Sequence, residues 1–261
     1  MDFVDGLFTR FDLFLLVFSR ITGMFLMSPI FSRKNIPFYL KIGFSVILSL
    51  AITTYESMDM IIQLDSFFKI LYYSTKELVI GFAMGYVTTL FFSAILTGGQ
   101  LIDTQIGFGI VNVLDPQNNI QVPLLGNFNN ILALLLFFVV DGHHTLIKLL
   151  VDSFEVLPPG RISITADIFW QIFAMFKTYF IFALKLALPV VGAALLTEVA
   201  LGIMVRTIPQ MNVFVIGIPI KILVGLIALF LFIPVYIGML NGEFSNMFHD
   251  IKTIIGGMAP K

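Results

Sequence analysis

Three uncharged runs of about 20 residues constrain the fold of this chain more than any other feature. They are Leu78–Thr97, Val122–Val140 and Ile222–Leu240. An α-helix of that length crosses the roughly 30 Å of hydrocarbon in a bilayer. Hydrophobic residues make up 58% of the 261 residues and charged residues only 12%, so a soluble domain could not bury the apolar surface. The sequence therefore predicts an all-α membrane protein.

Three further apolar segments are short or contain charges. They are Leu13–Ile30 with Arg20 inside it, the short Ile42–Thr54, and Phe173–Thr197 with Lys177 and Lys185 inside it. A charge at the bilayer centre costs about 2.5–3.5 kcal/mol on insertion scales, so we expect the charged helices to face protein or water. Snorkelling of the side chains to the headgroups is the alternative. Together the six segments predict about six long apolar helices.

The stretch from Gly98 to Gln117 is too polar to face lipid and too apolar for a solvated linker. The residues expected to disturb a helix are Gly98, Gly99, Asp103, Gly107 and Gly109. Pro116 disfavours helix at the residue before it. Irregular backbone at membrane depth is tolerated where it is buried in protein or lines a water-filled cavity. Taken alone, these residues favour a re-entrant loop or a kinked helix.

Two other segments predict amphipathic helices. In Thr145–Phe154 four apolar side chains lie on one side, and Pro158-Pro159-Gly160 follows the helix. Near the C-terminus, residues 243–255 repeat apolar side chains every three or four positions, Phe248 among them. The second helix is expected to lie against the membrane surface or in a protein groove.

Charged and polar clusters in the sequence do not predict catalysis. Asp141-Gly142-His143-His144 is the best candidate for a metal or proton site, but adjacent helical side chains point about 100° apart. We interpret it as a helix boundary with interfacial histidines and expect no metal. Glu198 and Arg206 lie two turns apart, so each is expected to have another partner.

Charge and motif content exclude several classes of function. The net charge is −1 without a basic patch, so nucleic acid is not an expected partner. The chain has no cysteine for disulfides or thiolate metal sites. Its first residues lack a basic segment and a cleavage site, so a cleaved signal peptide is not expected. Phosphate-binding and dinucleotide motifs are missing from the sequence, and we predict neither an enzyme nor a cofactor.

Four stretches of the sequence resemble one family. They are ITGMFLMSPIFSRKNIP, DPQNNIQVPLL, DGHHTLIKLLVDSFEVLPPG and ALPVVGAALLTEVALGIMVRTIPQMNVFVIGIPIKILVGL, and they resemble the FliR family of the flagellar type III export apparatus. The resemblance runs from about residue 10 to about residue 250 and is most specific from Pro189 to Gly225. Injectisome export proteins share the pattern more loosely.

The resemblance implies a structural role in protein export. FliR-type proteins are single domains, here residues 1–261, whose helices form hairpins. They assemble with FliP-like and FliQ-like subunits, with an FlhB-like subunit associated, into a gate that conducts unfolded flagellar proteins. The gate lies in the bacterial inner membrane, in contact with lipid, at the flagellar basal body. The resemblance implies no enzymatic activity and no cofactor.

It also implies a plug, a non-spanning segment at about residues 103–119 that enters the pore lumen between the third and fourth apolar helices. The expected plug residues are Ile106, Gly107, Phe108, Gly109, Ile110, Val111, Asn112, Asp115 and Pro116. The expected interface residues are Glu198, Arg206, Pro209, Gln210 and Phe248.

Two alternatives stay open at this point: an injectisome homologue, and a small-solute transporter with Lys185, Glu198 and Arg206 as its coupling site. Transporters commonly show paired halves with matching broken helices, and the sequence has no such internal match.

Overall fold

The computed structural model of the chain describes residues 11–33, 35–55, 66–108, 123–163, 166–208 and 213–259. Their regular secondary structure is helical. The helices are α1 Phe11–Met27, α2 Phe38–Tyr55, α3 Phe67–Ile106, α4 Leu124–Val139, α5 Gly142–Val156, α6 Ala166–Thr207 and α7 Val213–Gly257. Each of the six apolar segments lies largely within a helix, and α5 is the first predicted amphipathic helix.

Three of these helices, α3, α6 and α7, are long and apolar enough to cross a membrane, and α4 with α5 makes a fourth if the bent pair counts as one span. The six spanning helices expected from the sequence are therefore not confirmed by the described residues. The three long helices have 40, 42 and 45 residues. A helix of 40 residues is about 60 Å long, twice the hydrocarbon thickness of a bilayer, so each of the three is longer than one crossing requires.

One expected helix disturbance is wrong, and one predicted helix is part of a longer helix. The predicted break at Gly98, Gly99 and Asp103 is absent, because α3 continues to Ile106. Residues 243–255, predicted as an amphipathic helix, are helical and form the last turns of α7. In both places the residue types reflect what surrounds the helix, while the helical backbone continues.

The described residues form two compact units, each built from segments that are distant in sequence. Unit 1 draws on Met1–Leu90, Asp141–Phe176 and Ser245–Lys261. Unit 2 draws on Phe91–Val140 and Lys177–Phe244.

In unit 1, α1 packs closely against α3 through glycines. A Cβ at Gly81 would collide with the Arg20 carbonyl oxygen, and one at Gly85 would lie 2.9 Å from the Met24 carbonyl oxygen. Glycine at these positions lets the two backbones approach as small residues do at membrane helix interfaces. α1 also packs on α2, where the rings of Phe25 and Phe44 stack.

A buried ion pair lies beside this contact. Arg20 Nε donates to Glu77 Oε2 over 2.6 Å, and both side chains are fully buried. The guanidinium also donates to the carbonyl oxygens of Ser153 and Leu157 over 2.9 Å and 2.8 Å. Glu77 Oε1 accepts the Gly160 N–H. The expectation that Arg20 faces protein is confirmed.

Unit 2 has an aromatic cluster and an aliphatic core. Phe91 of α3 contacts Tyr179 and Phe182 of α6 and Phe244 of α7. The aliphatic core consists of Ile102, Ile106, Leu125, Ala187, Val190, Ala194 and Leu229. This core lies where α3 ends and α4 begins.

Candidate functional site

The end of α3 and the start of α4 are joined by one side chain, Asp103. Its carboxylate oxygens accept the backbone N–H groups of Leu125 over 3.0 Å and Gly126 over 3.1 Å. Asp103 is 5% exposed. The first N–H groups of a helix have no partner within the helix, and the helix dipole favours a negative charge there. Asp103 supplies both the hydrogen-bond acceptors and the negative charge, although it lies 22 residues before Leu125 in the sequence.

The same residue also ends α3. The Asp103 carbonyl oxygen accepts the N–H groups of Gly107 over 3.2 Å and Phe108 over 3.1 Å. Gly107 has a φ of 103°, a left-handed conformation that favours glycine after the last helical turn. Asp103 therefore contacts the chain on both sides of residues 109–122. We call Asp103 and its four N–H donors the clamp.

Close helix packing surrounds the clamp. A Cβ at Gly99 would collide with the Cα atom of Gly126. Ile106 is fully buried and fills the space beside Gly225, where a Cβ would overlap its side chain. Gly99, which the sequence marks as a helix breaker, thus permits close contact between α3 and α4.

The clamp shifts the expected start of the plug segment. The structure places Asp103 to Ile106 in α3, and Ile106 in the aliphatic core. Gly107 and Phe108 follow the helix, and Phe108 packs partly against that core. The other expected plug residues lie outside the described residues: Gly109, Ile110, Val111, Asn112, Asp115 and Pro116. Pro209 and Gln210 also lie outside them.

The spacing of Glu198 from Arg206 predicts that Glu198 pairs with another residue, and the structure confirms this. Glu198 Oε2 accepts Lys221 Nζ over 3.0 Å and Gln105 Nε2 over 3.3 Å, which joins α6, α7 and α3. The Glu198 side chain is 60% exposed and that of Lys221 is 20% exposed. Lys177, Lys185 and Arg206 of α6 are exposed on the chain. Because a charge at the bilayer centre costs about 2.5–3.5 kcal/mol, contact of these side chains with hydrocarbon would be unfavourable.

The histidine pair is closer together than helical angles suggest. The rings of His143 and His144 have centroids 4.0 Å apart, and His144 Nδ1 lies 3.2 Å from Asp141 Oδ1. One ligand atom from each of the three residues lies within 4.8 Å of the others. The 100° argument against shared ligation is therefore wrong for these side chains. Asp141 and His144 are exposed and pair with each other.

Sequence reasoning missed two ion-pair partners, Glu77 for Arg20 and Lys221 for Glu198, and the role of Asp103 as a cap. Glu77 and Lys221 directly precede the uncharged runs that begin at Leu78 and Ile222. A signal for these two partners was present, because a charge inside an apolar segment, like Arg20, or directly after one, like Glu198, needs an opposite charge near another segment. Asp103 gave no such signal, because its partners are backbone N–H groups. Every residue except proline has such a group, so no residue type marks the partner in the sequence.

Comparison with known proteins decides the family. The model of bacterial export proteins, family 1, matches residues 11–247. The flagellar biosynthetic protein FliR of Bacillus subtilis is 33% identical over 257 residues, which cover 97% of this chain and 98% of that protein. The chain belongs to the FliR family of bacterial export proteins.

Two further relatives show the breadth of the family. FliR of Escherichia coli is 31% identical, with 90% of each chain covered. The secretion system apparatus protein SsaT of Salmonella typhimurium is 28% identical, and the match covers 61% of this chain and 62% of SsaT. The flagellar relatives therefore match a larger part of this FliR-family chain than SsaT does.

Proposed function

We propose that the chain is a non-enzymatic structural subunit of the flagellar type III export gate in the bacterial inner membrane. It assembles with FliP-like and FliQ-like subunits, with an FlhB-like subunit associated, and the complex conducts unfolded flagellar proteins at the basal body. Residues 107–119 form a plug in the lumen. Other components drive the movement of substrate.

The clamp is the observation that supports the plug most strongly. A segment that closes a lumen has to be held at its base while its middle stays free to move aside. Asp103 holds residues 107 and 108 on one side and residues 125 and 126 on the other. Because Asp103, Leu125 and Gly126 are buried in unit 2, opening of the segment does not require α3 and α4 to separate.

The test of the plug is permeability of the assembled complex. Replacing Phe108 and Ile110 together by serine removes apolar bulk from the segment, and we expect cells to leak ions and small dyes. The matched control is Phe108→Leu with Ile110→Val, which keeps apolar side chains and should stay closed. Unchanged permeability in an assembled serine variant would contradict the plug.

Assembly is tested separately by co-expression. The chain should purify in detergent with the FliP-like and FliQ-like subunits in one large complex. A small-solute transporter would purify alone or as a small homo-oligomer, and that outcome would contradict the export gate.

An injectisome role is the second candidate, supported by the match to SsaT. The wider coverage of the flagellar relatives favours the flagellar apparatus. Deletion of the gene should therefore abolish motility.

A further inference from the structure

We propose that the surface formed by Gln105, Glu198 and Lys221 faces water, and that this water belongs to the path of the exported polypeptide. The second half of the proposal rests on the proposed function. We call these three side chains the polar surface. They come from α3, α6 and α7, which are the three helices long and apolar enough to cross a membrane.

Hydrocarbon does not suit this surface. Glu198 is 60% exposed, so lipid next to it would desolvate a carboxylate. Long cationic side chains escape hydrocarbon by reaching for the headgroups. The Lys221 side chain does not extend toward the headgroups in this way, because its Nζ donates to Glu198 over 3.0 Å. The two charges hold each other at the same depth.

A neighbouring subunit suits the surface less well than water does. The charges of Glu198 and Lys221 are already compensated within the chain, and Gln105 donates to the same carboxylate oxygen. A neighbour docked there would remove water from an ion pair without meeting an uncompensated charge, and such desolvation offsets the gain of contact. Water solvates the exposed part of the pair at no such cost.

The position of the polar surface connects it to the export path. Gln105 lies two residues before Gly107, where the chain leaves α3, and two residues after Asp103 of the clamp. Under the proposed function, the segment that begins at Gly107 enters the lumen. The polar surface therefore borders the base of that segment. A hydrated wall whose charges are paired suits unfolded polypeptides as a class, because it binds neither acidic nor basic side chains strongly.

The natural absence of cysteine makes the surface testable by thiol labelling. Single cysteines are placed at Gln105, Glu198 and Lys221 in the full chain within the assembled complex. Gln105→Cys keeps the ion pair intact, so it reports on the surface even if the charged variants assemble poorly. The probe is a negatively charged methanethiosulfonate that does not cross membranes, applied to sealed vesicles of both orientations.

Two matched control variants share the helices but not the surface. Leu196→Cys lies about 160° around α6 from Glu198, and Phe230→Cys lies about 180° around α7 from Lys221. Leu196 and Phe230 are 74% and 73% exposed in the chain, so a difference in labelling reports on what covers them. Labelling after dissolution in a denaturing detergent should be equal for all variants.

The polar-surface cysteines should react at least about tenfold faster than the controls in vesicles of one orientation, because an apolar environment suppresses the reactive thiolate. Reaction as slow as that of the controls at all three positions would overturn the proposal. A substrate stalled in the channel by a folded C-terminal fusion should slow the labelling. Fast labelling that a stalled substrate does not change would overturn the assignment to the export path.

Failure of the proposed function would give a different result, in co-purification and not in labelling. The chain would then not co-purify with the FliP-like and FliQ-like subunits, whatever the labelling rates.

Discussion

At the scale of single residues, the buried Arg20 guanidinium donates four hydrogen bonds, to Glu77, Ser153 and Leu157. Replacing it by methionine should leave Glu77 as an unpaired buried carboxylate. Breaking a buried pair in this way costs about 3–5 kcal/mol. We expect Arg20→Met to lower the thermal stability of the detergent-solubilised chain and its amount in the membrane. Lysine should not rescue it, because the contacts to Glu77, Ser153 and Leu157 need the guanidinium fork.

The matched control is Arg161→Met, which removes the same charge from an exposed position of unit 1. It should unfold at the same temperature as the unmodified chain. If Arg20→Met also unfolds at that temperature, the ion pair does not stabilise unit 1.

Asp103 gives the second prediction at this scale. Asp103→Ala removes the acceptor of two backbone N–H groups at the start of α4, and loss of a helix cap costs about 0.5–2 kcal/mol. We expect the variant to assemble and to leak ions, because the base of the plug segment is no longer fixed. Asp103→Asn should leak less, since its side-chain oxygen still accepts a hydrogen bond.

Thr104→Ala is the control for Asp103, since Thr104 is the next residue and its exposed hydroxyl bonds only within α3. The measurement is ion permeability of cells at equal amounts of assembled complex. A tight Asp103→Ala complex would show that the clamp is dispensable for closure.

At the scale of helices, the contact between α3 and α4 depends on the missing side chain of Gly99. A Cβ there would collide with the backbone of Gly126, and backbone cannot move aside as a flexible side chain can. We expect Gly99→Ala to destabilise unit 2 by about 1–3 kcal/mol, as overpacking does. Thermal unfolding in detergent measures the effect.

Gly192→Ala is the opposite case on α6, where a Cβ would meet nothing within 4 Å. Alanine has the higher helix propensity, by about 1 kcal/mol, so this variant should be equally or more stable. Equal stabilisation by both substitutions would mean that α3 and α4 do not approach closely.

Helices and site differ in how far the sequence predicts them. Apolar runs locate the helices well, because length and hydropathy are local properties of the chain. The same local properties predicted that Gly98, Gly99 and Asp103 disturb the helix, which is wrong, because α3 continues through all three. In each place the residues reflect what packs on the helix, which only the tertiary structure supplies. Asp103 illustrates the limit, since its partners are backbone groups.

At the scale of the whole molecule, much of the apolar surface remains uncovered by the chain itself. Only 11% of the residues in the most apolar part of α7 are buried within the chain, compared with 56% of those in the most apolar part of α3. Large exposed apolar surfaces on a membrane protein contact lipid or other subunits. The described chain therefore leaves a large apolar surface for lipid or other subunits to cover, which agrees with its membership of an export apparatus family.

The C-terminal turns of α7 separate self-packing from contact with other subunits. Met247 and Ile251 are fully buried within the chain, whereas Phe248 is only half-buried. Part of the groove expected for this stripe is therefore formed by the chain's own elements. Met247→Asp should abolish accumulation of the chain, because it places a charge in the core of unit 1.

Phe248→Asp tests the half-buried part of the stripe. We expect it to accumulate in the membrane but to lose at least about tenfold of its co-purified FliP-like and FliQ-like partners, which corresponds to 1.4 kcal/mol. The control is His249→Asp, which adds the same acid at the next, exposed position and should retain the partners. Co-purification in detergent removes the bilayer as an alternative support. Retention of all partners by Phe248→Asp would mean that the half-buried part of the stripe faces lipid. The predicted contact of Phe248 with another subunit would then be wrong.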